Sequence, residues 1–349
     1  MVYSNEHCMT MRTHHDRPEK DYDTLLLQVE QANLFERTRR WYFVSGAIAL
    51  TGLITSLYVV TLTDSLIIQV INAVAFGFFG TQLGIIGHDL SHGQVFSGER
   101  TNRLAAMFVW GLFLGLSESN WHQSHNRHHK NPNHISHDPA LDIPFVFTPE
   151  QTTLRSHFFK KWFVPYQHIL YWPGLCFIYP ATVAVDMRYL FKNISLQSAF
   201  EIALMILHFI LLFTLIFTSL PVLTGLLFLA VGFVTAGLYM AVIFAPNHEG
   251  CPMLAPEDDF HWTYQITFTR NLLSTPFYRH FFGGLDSQIE HHLFPHMSRY
   301  QFKKARAVVR QYCAENNLTY HETSFLTSFS EIYQSLKDEA HIWQKRSSE

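Results

Sequence analysis

Charge is scarce in this chain. Only 15% of its 349 residues are Asp, Glu, Lys or Arg while 48% are hydrophobic, against roughly 25% charged residues in an ordinary soluble protein. The balance argues for a large part buried in lipid. A net charge of −3 gives no basic footprint for nucleic acid. Cysteine is equally sparse: Cys8, Cys176, Cys251 and Cys313 show no paired spacing, which excludes a zinc knuckle or a disulfide framework and fits a reducing compartment. The first 40 residues contain no apolar run of signal-peptide type. There is no internal repeat, low-complexity tract or Ser/Gly linker, so residues 41–349 read as one domain after an interfacial or cytosolic arm, 1–40. HExxH is missing too, which argues against a zinc protease. What the chain has in excess is histidine, 22 residues of it, in clusters.

Four stretches are apolar for the ~20 residues a bilayer crossing needs: about 41–62, 65–87, 199–219 and 221–246. Their connections, Thr63–Asp64 and Ser219–Pro221, are so short that the four form two hairpins. No Lys or Arg falls between Trp41 and Gly87 or between Asn193 and Asn247. Positive charge marks the cytoplasmic side, so the arm, the segment 88–198 and the segment 247–349 share that face. Two weaker apolar stretches fail the length rule or contain helix breakers. Leu104–Leu116 is only 13 residues, about 20 Å as a helix. Leu170–Val185 contains Pro173, Gly174 and Pro180. Both are expected to be interfacial or re-entrant. The expected fold is all-α: four transmembrane helices in two hairpins, with a cytoplasmic helical cap holding a histidine-rich di-metal site. Residues 23–40 have apolar positions on one side, which suits a helix on the membrane surface or one capping the cytosolic part.

Three groups of histidines follow those crossings. His88 and His92 are spaced i, i+4, on one helical face. His125, His128 and His129 are spaced i, i+3, i+4. Gln288, His291 and His292 repeat that spacing with glutamine first. An even number of crossings precedes each group, so all seven histidines lie on one side at membrane-exit depth. Imidazole suits Fe, Cu, Zn and Ni, and seven exceed what one zinc takes. Two metals are the economical count. Asp89, Asp138 and Glu290 are candidates to accept the ligands' remaining N–H groups, and His122, three before His125, is within reach of the site but reads as a supporting or structural residue. His134, His137 and His296 read as polar surface or supporting groups. Glu201 and His208 lie inside a span and read as interfacial or packing residues.

The motifs HDLSH (88–92), HNRHH (125–129) and QIEHH (288–292) resemble the three histidine boxes of the integral-membrane fatty acid desaturases. The stretch Gly283–Pro295 resembles their front-end branch, and Gln265–Asn271 and Ala245–His248 agree. The resemblance runs from about Trp41 to the C-terminal region. It implies that His88, His92, His125, His128, His129, His248, His291 and His292 coordinate two irons, with Asn247 joining through water and Gln288 beside them. It further implies O2 as co-substrate and a fatty acyl lipid, acyl-CoA or acyl-carrier-protein substrate. Many front-end members carry a cytochrome b5-like domain with a His-Pro-Gly-Gly motif, which this sequence lacks. Electrons are therefore expected from a separate ferredoxin or cytochrome b5, at a bacterial inner membrane or its equivalent.

The reaction so implied removes two hydrogens from an unactivated acyl chain. It needs no side-chain nucleophile, and no Ser/His/Asp or Cys/His arrangement is evident. Trp110, Trp121 and Trp262 are candidates to line an acyl tunnel, and Arg127, Arg188 and Arg270 to meet a headgroup. The same kind of site serves hydroxylation, acetylenic-bond formation and ring oxidation of an isoprenoid. A membrane zinc hydrolase and a metal transporter are the rivals outside this chemistry.

Overall fold

A computed structural model describes residues 20–347; residues 1–19 of the arm, with Cys8, lie outside the described residues. The helices in chain order are α1 (Lys20–Gln31), α2 (Arg39–Val60), α3 (Leu66–Ser91), α4 (Glu99–Met107), α5 (Glu118–Lys130), α6 (Pro149–Thr153), α7 (His157–Trp162), α8 (Gln167–Gly174), α9 (Ile178–Lys192), α10 (Leu196–Ser219), α11 (Val222–His248), α12 (Tyr264–Thr267), α13 (Pro276–Phe281), α14 (Gln288–Leu293), α15 (Phe302–Glu315) and α16 (Phe325–Arg346). Two short strands, β1 (Asn271–Leu272) and β2 (Glu322–Thr323), pair in parallel with Asn271 opposite Glu322.

The long helices form where the apolar runs are. Their outer faces keep Ile67 and Leu223 74% and 78% exposed, which is the expected surface for lipid contact. Polar residues inside α3 clasp the first hairpin. Ser56 Oγ donates to Asn72 Oδ1 at 2.7 Å, Asn72 Nδ2 donates to Ser56 O at 3.0 Å, and Gln69 Nε2 donates to Thr63 O at 2.7 Å. α3 and α11 meet backbone to backbone: a Cβ on Gly77 would lie 2.5 Å from Gly232 O. Small residues permit such an approach between membrane helices.

Two expectations change. α3 and α11 run beyond the expected ends at 87 and 246, so His88 and His248 sit on the final turns of long helices. Among the described residues five segments, not four, are long and apolar enough to cross a membrane, the additional one being His157–Lys192. This fifth segment is a chain of short helices joined by 3-10 turns, with Pro173 and Pro180 in its path. The stretch after α4 is not a span. Phe108–Phe113 forms a π-helical turn and brings Trp110 to the bundle interior.

The remaining helices close over the hairpins. The described part of the arm, α1, packs as a cap helix. Leu25 and Val29 join Ile289, Leu293, Phe302 and Val309 in one buried cluster, and Tyr22 Oη donates to Leu293 O at 3.0 Å. Gly283 and Gly284 turn the chain into α14 with φ of 58° and 84°, a region that glycine enters without steric cost. A Cβ on Gly283 would also meet the Arg299 guanidinium at 2.6 Å.

Candidate metal centre

Four helices deliver the histidines. α3 and its C-cap bring His88 and His92, α5 brings His125, His128 and His129, α11 ends on His248, and α14 carries His291 and His292. The rings fall into two groups, His88, His92, His125 and His291 in one and His128, His248 and His292 in the other. Within each group one ligand atom per residue lies within 4.8 Å of the others. His129 stands between them. Its ring stacks on His292 at 4.2 Å, and its Nε2 is 3.0 Å from His125 Nε2.

Hydrogen bonds fix which ring atoms remain free. His128 Nδ1 sits 2.9 Å from both oxygens of Asp138, His292 Nδ1 is 2.9 Å from Gln265 Oε1, and His88 Nδ1 is 3.1 Å from Asp89 Oδ1. Each neighbour is an acceptor, so the proton is on Nδ1 and Nε2 keeps its lone pair. Those lone pairs then face one another. His248 Nε2 lies 2.9 Å from His292 Nε2 and 3.3 Å from His128 Nε2, and a single proton on His248 satisfies one of these contacts only. The Nε2 atoms of His88, His92 and His291 are buried with no hydrogen-bond partner. Converging buried lone pairs are costly unless a cation lies among them. The donor set fits two metal ions of the borderline class that imidazole prefers. Burial first, then crowding by neighbouring imidazoles, holds His125, His129, His291 and His292 well below the ordinary histidine range and pushes His92 down to about 3. The rings are thereby kept neutral, which is the form that binds metal.

The supporting groups are partly as expected and partly not. Asp138 also accepts from the backbone N–H of Asn133 and Ala140, each at 2.8 Å. Asp89 is paired with Arg299 Nε at 2.6 Å. Gln288 lies 3.2 Å from His248 Nε2, and its Oε1 accepts from Asn247 Nδ2 at 3.1 Å. Asn247 Oδ1 is buried and unpartnered. Glu290 meets no imidazole among its hydrogen bonds; it accepts from Asn271 Nδ2 at 2.9 Å and Tyr320 Oη at 2.8 Å, bracing α14 from behind. His296 Nδ1 bonds to His92 O at 2.8 Å and His134 Nε2 to Asp258 O at 3.1 Å. Gln265 and Arg299, which orient His292 and Asp89, carry no signal in a lone sequence beyond being polar.

An apolar cavity of about 60 Å³ lies within the bundle. Gly84, Ile85 and Phe244 line it one turn from His88 and His248, and Leu53, Phe76 and Phe233 line it deeper. Trp110 lines the cavity and stacks on Trp121 at 5.6 Å, which stacks in turn on His125 at 4.3 Å. Trp262 is elsewhere, against Tyr22 of α1. His208 reaches the wall of the cavity, its Nδ1 bonded to Leu112 O at 3.0 Å. Arg270 is fully buried and donates to Pro246 O, Glu249 O and Glu331, so it clamps the end of α11 and does not face a headgroup. Arg127 and Arg188 are exposed.

Glu201 is more than a packing residue. It accepts from Ser117 Oγ at 2.7 Å and from Ser119 N at 3.1 Å, while Asp186 accepts from Ser117 N at 2.8 Å and Asn120 Nδ2 at 2.7 Å. Two buried carboxylates from α9 and α10 thus hold the first turn of α5, the histidine helix, where a helix favours negative charge.

The family model described as "Fatty acid desaturase" matches residues 65–324. The chain is 27% identical over 337 residues to the "Acyl-lipid (9-3)-desaturase" of Borago officinalis, covering 92% of this chain and 75% of that protein. It is 28% identical to the "Delta(8)-fatty-acid desaturase" of Helianthus annuus (88% and 70%) and 28% identical to "Fatty acid desaturase 3" of Bos taurus (93% and 74%).

Proposed function

The chain belongs to the fatty acid desaturase family, and from that premise we propose that it desaturates an acyl chain seated in the α3/α11 cavity beside two histidine-held irons. It is an integral membrane enzyme. The observation that carries the reading is the set of buried imidazole lone pairs converging from four helices onto two points. His88, His92, His125 and His291 would hold one iron and His128, His248 and His292 the other. His129 stands between them, and Asn247 would join the second through water. Iron in that setting supplies the activation of O2 that breaks an unactivated C–H bond. The protein's own part is to keep the rings neutral, to fix them through Asp89, Asp138 and Gln265, and to hold the acyl chain dry along Gly84, Ile85, Trp110 and Phe244.

Four crossings fit this site better than five. His129 and His292 are 4.2 Å apart, so the chain between them must cross the bilayer an even number of times. α10 and α11 are two crossings. The segment 157–192 then lies along the surface, in keeping with its three prolines, Pro165, Pro173 and Pro180, and with Phe158, Trp162, Tyr166 and Phe177, all more than half exposed, aromatic residues being favoured at the membrane interface. By the same parity and the distribution of Lys and Arg, the centre is on the cytoplasmic face. Electrons would come from a ferredoxin or cytochrome b5. The acyl carrier is a glycerolipid, CoA or acyl carrier protein, and the exposed Arg127 and Arg188 are available to its headgroup.

The test is expression in a host of defined lipid composition, with mass spectrometry of the acyl chains. An acyl species two hydrogens lighter than its precursor is expected. A hydroxylated product, or no new product under reducing equivalents and O2, would overturn desaturation.

A further inference from the structure

Two arginines are buried beside the histidine groups, Arg270 at 0% exposure and Arg299 at 3%. Charged side chains are seldom buried so fully unless they are paired, and each of these two reaches a different histidine group. Arg299, in the 3-10 turn Arg299–Gln301, pairs through Nε with Asp89 Oδ2 at 2.6 Å, both side chains almost wholly out of solvent. Asp89 in turn holds His88 Nδ1 at 3.1 Å. The guanidinium is fixed on its other sides as well. Its Nη1 donates to Gly283 O at 2.6 Å, and its carbon lies 4.8 Å from the ring centre of Trp41. His88 belongs to the group with His92, His125 and His291.

Arg270 serves the other group through the backbone. α11 ends on His248, and the last carbonyls of a helix have no partner within it. Arg270 takes three carbonyls around His248. Its backbone N–H donates to Asn247 O at 2.9 Å, Nε to Pro246 O at 2.6 Å and Nη2 to Glu249 O at 2.8 Å, while Nη1 is tied to Glu331 of α16. Among the described residues His248 Nδ1 meets no side-chain acceptor, so the backbone aims this ring where a carboxylate aims His88 and His128. His248 groups with His128 and His292. α14, which gives one histidine to each group, has braces of its own: Asn271 and Tyr320 hold Glu290, and Gln265 holds His292.

We propose that Arg299 and Arg270 are positioning residues for separate metal sites, Arg299 for the His88 group and Arg270 for the His128 group, so that the affinity of each site is set apart from the other. The inference rests on reading the two histidine groups as iron sites, and not on which acyl chemistry follows. A neutral side chain at 299 leaves Asp89 a buried charge without its counter-charge, the costly half of a broken pair. Asp89 then no longer fixes His88. A side chain at 270 without the guanidinium fork frees the carbonyls at the end of α11 and lets His248 turn from its group. Outer partners of metal-bound histidines set affinity by roughly ten- to a hundredfold.

The experiment is iron(II) titration of the detergent-solubilised full chain, with anomalous scattering at the iron edge to say which site fills. Arg299→Gln and Arg270→Gln should each weaken one iron by roughly ten- to a hundredfold and leave the other as in wild type. At an iron(II) concentration that just fills wild type, the peak missing from R299Q should be the one among His88, His92, His125 and His291. The peak missing from R270Q should be the one among His128, His248 and His292. Asp89→Asn combined with Arg299→Gln removes both charges and should restore much of the lost affinity, a recovery that a role in packing alone would not give. Arg270→Lys keeps the charge without the fork and should stay weak in the same group. Parallel loss of both irons, wild-type affinity in either glutamine variant, a missing peak in the opposite group, or a double variant no tighter than R299Q would overturn the proposal and leave the two-iron reading intact. Failure of both variants at either arginine to fold would make that residue a tie of the whole fold and equally overturn it. A wild type that binds fewer than two irons would instead strike the parent reading.

Discussion

Replacing His128 with alanine is expected to leave a folded membrane protein that has lost iron from the second histidine group and makes no detectable product. His128 is chosen because its surroundings separate ligand loss from collapse. The substitution removes one of three imidazoles gathered at 4.6 and 4.9 Å ring separations from His248 and His292. The partner it abandons is not stranded. Asp138 retains the backbone N–H groups of Asn133 and Ala140, which is the difference between losing a ligand and burying a bare charge at a cost of about 3–5 kcal/mol. Thermal unfolding of the detergent-solubilised variant should therefore track the metal-free wild type, while metal content and lipid profile fall. A variant that retained full iron and product would remove His128 from the ligand set.

The second large effect is expected from Gly80→Leu. Gly80 lines the cavity with Leu114 Cδ2 as its nearest neighbour, 3.8 Å from where a Cβ would stand. A leucine enters there without a backbone collision and pushes its methyl groups into the channel. Gly77, one turn deeper, has no such room because its Cβ would strike Gly232 O. Leucine is the better helix former by nearly 1 kcal/mol, so α3 should be no less stable. Overpacking costs about 1–3 kcal/mol. This becomes a loss of roughly tenfold to a hundredfold in kcat/KM for chains that must pass Gly80, with shorter chains spared. Competition between acyl substrates of graded length measures it. An unchanged length profile would show that the acyl chain lies somewhere other than this cavity.

Much of the architecture is legible in the sequence because its signals are local. A crossing helix needs a long apolar run, and imidazoles at i, i+3 and i+4 declare a helical face, so the hairpins and boxes can be read residue by residue. What is not legible depends on residues brought together from far apart. Gln265 is an ordinary glutamine until α14 places His292 Nδ1 against it. Glu290 belongs to a box yet turns to Asn271 and Tyr320, since the spacing that aims His291 and His292 inward points the residue before them the other way. Arg270 reads as a headgroup candidate because arginine is usually exposed; three acceptors at the end of α11 bury it. Trp262 falls under α1, whose docking on α15 no periodicity announces. Leu170–Val185 reads as broken by Pro173 and Pro180, and the segment 157–192 that contains it is a chain of short helices. Its helices nevertheless join end to end closely enough to give a fifth segment of spanning length.

The acids under α5 teach the same lesson. Glu201 inside an apolar run reads as a packing or interfacial residue, and Glu118 carries no signal in the sequence. Their meaning comes from the serines that reach Glu201 and from Arg103, which faces Glu118. Both are properties of the assembled fold.

The central claim is that two irons sit in the two histidine groups, and anomalous X-ray scattering at the iron edge from crystals of the iron-loaded protein tests it most directly. Two peaks are expected, one among His88, His92, His125 and His291 and one among His128, His248 and His292. A single peak, or a signal at the zinc edge in place of iron, would contradict the account.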